Sequence, residues 1–77
     1  MTKLPRISGR ECVKALQRAG FDERPGKRRQ SGDHVFMQHN DPYFATTVPL
    51  HKELKPGTLR AIIRQAGLTV EEFVDLL

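Results

Sequence analysis

Tryptophan is absent, cysteine occurs once, and no apolar run in the 77-residue chain is longer than a few residues. Each shortage removes a class of protein. One cysteine makes no internal disulfide and supplies no cysteine-based zinc set. Apolar runs this short fall far below the roughly 20 residues that a membrane-spanning helix needs. Met1 to Ile7 carries basic residues but no apolar core of a secretory leader, so the expected compartment is the cytoplasm. There is no internal repeat and no low-complexity segment. A chain this size buries only about 60% of its unfolded surface. One domain spanning 1–77 with a thin core is therefore expected, with no room for a large cofactor.

What is abundant is positive charge, and it is unevenly placed. Residues 1–40 hold nine Lys and Arg against four Asp and Glu, whereas residues 41–77 hold four against five. The first part is thus +5 and the second −1. The concentration around Arg24 to Arg29 points to a polyanion, nucleic acid above all. A solvated cationic face is the plain alternative.

Three segments carry helix punctuation. Ser8 with Glu11 forms a capping box, in which each side chain satisfies the other's backbone N–H. Ile7 and Cys12 are placed as its hydrophobic staple. Cys12, Ala15, Leu16 and Ala19 make one apolar stripe, and Gly20 is the stop. A second helix runs from Pro56, a favoured first-turn residue, to Gln65, with Leu59, Ile62, Ile63 and Ala66 on one face and Gly67 after it. Thr69 and Glu72 open a third, with Leu68 and Phe73 as the staple and Val70, Phe73, Val74 and Leu77 as the predicted buried face.

Residues 21–50 read as β structure. Val35, Phe36 and Met37 mark one strand and Phe44 to Val48 another, with the turn at Asn40-Asp41-Pro42. A weaker first strand is expected between Phe21 and Gln30, interrupted by a bend at Pro25-Gly26. The predicted fold is α+β: a two-layer sandwich in which a three-stranded antiparallel sheet has helices on one face, in the order α-β-β-β-α plus a short C-terminal helix. Double-stranded-RNA-binding domains share that architecture.

The other face of such a sheet stays wet, and His34 falls on it. Strand residues alternate, so His34, Phe36 and Gln38 share one face while Asp33, Val35, Met37 and His39 share the other. His34 and His39 should not meet, and nothing in the spacing matches a metal motif. A histidine can take or give a proton near neutral pH. RNA offers a matching task, because its 2′-hydroxyl attacks the neighbouring phosphate once a base removes its proton. Lys27, Arg28 and Arg29 are placed to hold that phosphate.

The run HKELKPGTLRAIIRQAGL (His51 to Leu68), preceded by TVPL (Thr47 to Leu50), resembles the C-terminal segment of the HicA toxins. Gly32-Asp33-His34 before an apolar strand is similar to that family's Gly-Ser-His motif, with Asp33 in place of the Ser. Ala19-Gly20-Phe21 fits the end of the family's opening helix. The resemblance covers Ser8 to Leu68. It implies a double-stranded-RNA-binding-domain-like fold, cleavage of mRNA without a metal or other cofactor, and a HicB antitoxin that covers the site. On this basis His34 is the catalytic candidate, Gly32 the residue that lets the backbone turn into it, and Lys27, Arg28 and Arg29 the RNA-binding cations. One imidazole cannot be acid and base at once, so a second group must complete the proton traffic. His39 and His51 are the candidates.

Other residues have plainer readings. Lys52, Lys55 and Arg60 face either RNA or antitoxin, or simply solvent. Tyr43 and Phe44 are aromatics for packing or for a base to stack on. Cys12 reads as a small core residue. A non-catalytic RNA-binding module of the same fold is the alternative function. A helix-turn-helix at the last two helices is disfavoured, because Glu71, Glu72 and Asp75 would face DNA phosphates.

Overall fold

Ser8 begins the ordered architecture as the N-cap of α1 (Gly9–Arg18). Its Oγ accepts from the Glu11 N–H at 3.1 Å and its own N–H donates to Glu11 Oε1 at 2.8 Å, so both arms of the expected capping box form. The computed structural model describes residues 3–24 and 33–77. The Pro25-Gly26 bend, together with Lys27, Arg28, Arg29 and Gly32, therefore lies outside the described residues.

Three strands follow α1: β1 (Asp22–Glu23), β2 (His34–Asn40) and β3 (Tyr43–Pro49). They pair antiparallel in the order β1-β2-β3. The β2–β3 register runs from His34 opposite Pro49 to Asn40 opposite Tyr43. The chain reverses through Asp41–Pro42, whose peptide bond is cis. The first strand lies where the sequence expects it, between Phe21 and Gln30: Asp22 and Glu23 pair with β2, and the Arg24 N–H donates to the Phe36 carbonyl at 2.8 Å.

The chain then forms α2 (Pro56–Gln65) and the short α3 (Val70–Val74). Thr69 and Glu72 complete the second capping box as the sequence predicts. Gly20 and Gly67 both take positive φ where the helices stop. At Gly67 two constraints coincide. Its φ is +76°, and an added Cβ would come within 2.5 Å of the Phe44 ring. Only glycine meets both.

The helices cover one face of the sheet. Cys12, Val13, Ala15 and Leu16 from α1 and Leu59, Ile62 and Ile63 from α2 meet Met37 and Val48 of the sheet in one buried cluster. Val35, Leu50 and Phe44 pack at its margin, and Phe73 of α3 closes it fully buried. Leu77 departs from the predicted buried face: it is 47% exposed, while Leu76 packs against the core instead. The helix ends at Val74, so Leu77 no longer follows helical phase. The fold is the α+β two-layer sandwich of double-stranded-RNA-binding-domain type, with Thr46 its buried polar residue, donating from Oγ1 to Gln65 Oε1 at 2.7 Å.

Candidate functional site

The β2 side chains divide between the two faces as alternation requires. Met37 is buried and Val35 packs against the core, whereas His34 is exposed at the first position of the strand. Phe36 and Gln38 follow His34 on the outer face. Across the ladder, Pro49 stands directly opposite His34 and Thr47 opposite Phe36. The ladder continues one residue beyond the strand ends, through the Leu50 N–H donating to the Asp33 carbonyl at 2.6 Å.

Two of the three histidines belong to this end of the sheet. His51 follows Leu50 directly, is exposed, and has its carbonyl held by the Gly9 N–H of α1 at 2.9 Å. Gly9 is pressed so closely on the strand exit that a Cβ there would overlap the Pro49 carbonyl oxygen and crowd Leu50 Cα at 2.8 Å. The helix start, the strand exit and His51 are thus joined at one seam.

His39 lies elsewhere. Five residues along β2 from His34, it is roughly 16 Å away at the usual strand rise of about 3.3 Å per residue. Its Nδ1–H donates to the Pro42 carbonyl at 2.8 Å, and its ring tilts against buried Phe21 with centroids 5.3 Å apart at 52°. It pins the hairpin end to the layer beneath. The structure therefore separates His39 from His34, while His51 follows two residues after Pro49, the ladder partner of His34.

A groove of about 560 Å³ runs along the β3 side, lined by Phe36, Thr47, Ala45, Thr58, Ala61 and Gln65 among others. Phe36 and Thr47 share the face of His34, although His34 itself does not line the groove. On the helix layer a second hollow, about 270 Å³, is bounded by Arg10, Lys14 and Gln17 of α1 together with Glu23, Val35 and Leu50. Arg10 and Lys14 were not singled out by the sequence reading. Their spacing at i and i+4 beside an apolar stripe places them on the rim of a buried helix face, and that was the available signal. Lys52, Lys55 and Arg60 are exposed. Tyr43 is 61% exposed, whereas Phe44 packs toward the core over Gly67. Among the described residues, no group of three or more His, Cys, Asp or Glu is placed to hold a metal ion.

Residues 9–68 match the family model of the HicA toxin of bacterial toxin–antitoxin. The chain belongs to the HicA toxin family. No curated protein matches the chain. The HicA match spans α1 through Leu68, so the sheet, His34, the seam at Gly9 and His51 all lie inside it. HicA membership makes this a toxin that is paired with an antitoxin. Among the described residues, no helix is long and apolar enough to cross a membrane.

Proposed function

We propose that this HicA chain is an endoribonuclease acting on mRNA in the cytoplasm, held in check by a HicB-like antitoxin, with a single HicA domain spanning 1–77. His34 moves the proton of the ribose 2′-hydroxyl as that oxygen attacks the adjacent phosphate. The observation that carries this reading is the position of His34: exposed at the start of β2 on the sheet face away from the helices, the face it shares with Phe36 and Thr47. Phe36 and Thr47 offer a base an aromatic face and a hydroxyl. Arg10 and Lys14 on α1, with Lys27, Arg28, Arg29 and Gly32 ahead of the strand in sequence, are the proposed contacts to the RNA backbone. The chemistry asks for no metal, so cleavage is expected to persist in excess EDTA.

Expressing the wild-type and His34→Ala proteins without antitoxin tests the proposal. Growth arrest and transcript loss should accompany the wild type alone. Equal arrest and equal transcript loss from both would remove His34 from the reaction. RNA that purified wild-type protein retards in a gel but never shortens would instead assign the chain as a non-catalytic RNA-binding module.

A further inference from the structure

We infer that His51 is a second catalytic residue, the proton donor that complements His34; this rests on the ribonuclease reading above. The argument starts from the ladder. His34 pairs with Pro49, and the Leu50 N–H to Asp33 carbonyl bond shows that pairing persists past Pro49. Val48 is buried and Leu50 packs against the core. Alternation carries Pro49, the last residue of β3, to the face that His34 occupies, and extending the same alternation two residues past the strand end brings His51 to that face. In that register His51 is the diagonal neighbour of His34, at the about 7–8 Å typical of such pairs in an antiparallel sheet.

The backbone on both sides of His51 is fixed. Its carbonyl accepts from the Gly9 N–H at 2.9 Å, and three residues later the Leu54 N–H donates to the Ile7 carbonyl at 2.8 Å. Leu54 is itself buried. The imidazole is therefore an exposed group on a constrained segment, as a positioned proton donor requires.

Two imidazoles at this separation suit a single phosphodiester, each reaching within about 3 Å of a different oxygen. His34 takes the proton from the 2′-hydroxyl. The bond from O2′ to phosphorus forms while the bond from phosphorus to O5′ breaks, and the departing O5′ takes a proton from the His51 imidazolium. The products are a 2′,3′-cyclic phosphate and a 5′-hydroxyl end. One proton is accepted and one donated, and exchange with water restores both rings.

The test uses an RNA oligonucleotide that the wild-type protein cuts, and the same oligonucleotide with sulfur replacing the bridging 5′ oxygen at the cut. A thiolate leaves without being protonated, so it has no need of a proton donor. His51→Ala and His51→Gln should each slow cleavage of ordinary RNA by about 100- to 10,000-fold, yet cut the sulfur-substituted strand at close to the wild-type rate. His34→Ala should be slow on both strands. If the His51 variants cut ordinary RNA as the wild type does, or lose both substrates equally, His51 is not the donor. Those results leave His34 and the ribonuclease reading standing, whereas undiminished cleavage by His34→Ala removes His34 from the reaction and with it the paired mechanism.

Discussion

Cys12 has no surface at all in the folded chain, and its burial pushes the thiol up to about 12 from an ordinary 9.0. Removal from water disfavours the thiolate, and no nearby charge is needed to explain the shift. The folded protein therefore keeps this proton to higher pH than the unfolded chain does. The resulting stability is complete below pH 9.0 and is lost as pH rises toward 12. Guanidinium midpoints should fall more steeply between those values for the wild type than for Cys12→Ala, and a thiol reagent should label the native protein only after denaturant is added. Parallel slopes for the two proteins would show that Cys12 does not titrate differently on folding. Gly67 makes a second claim at this scale. Alanine there must adopt φ near +76° and displace the Phe44 ring. A loss on the order of 1–3 kcal/mol follows from backbone strain of this kind. Urea unfolding followed by circular dichroism measures it, and an unchanged midpoint would mean that the ring moves aside freely.

Helix α1 was legible because three local signals agree: a reciprocal cap at Ser8, an apolar stripe and a glycine stop. Each acts within a few residues, so none depends on the tertiary fold. The same holds for α2, found at Pro56–Gln65 as read. Ser8→Ala should cost about 1 kcal/mol by orphaning the Glu11 N–H, and Ser8→Gly only a few tenths; thermal melts of the two variants give the comparison, and equal losses would deny the cap its role. Legibility fails where an element is set by its neighbours. Leu77 was assigned to a helical face, but α3 has already ended at Val74 and the apolar contact passes to Leu76. His34 could be placed on the wet face from alternation alone. That Pro49 stands opposite His34 could not, because this depends on the register of β2 against β3.

At the scale of the whole molecule, one layer of helices and one sheet share a single cluster of apolar side chains. Leu16, fully buried, sits among residues from both layers. Leu16→Ala should therefore weaken the entire fold by about 2–5 kcal/mol, with helix and sheet signals lost together in one urea transition; two separated transitions would show that the layers fold apart. The uneven charge, +5 in residues 1–40, belongs to the same scale. On the ribonuclease proposal, RNA affinity of His34→Ala should drop steeply with added salt as counterions are released, and a flat salt response would rule out backbone contacts as the main hold. The seam at Gly9 reaches furthest. A helix residue more than twenty positions upstream of either imidazole has no room for a methyl group, because the strand exit occupies that space. Colonies that outlive induction of the gene without its antidote should thus carry replacements at codon 9 as well as at the histidine codons, and sequencing such survivors would reveal a lesion that disarms the protein by prising its scaffold open.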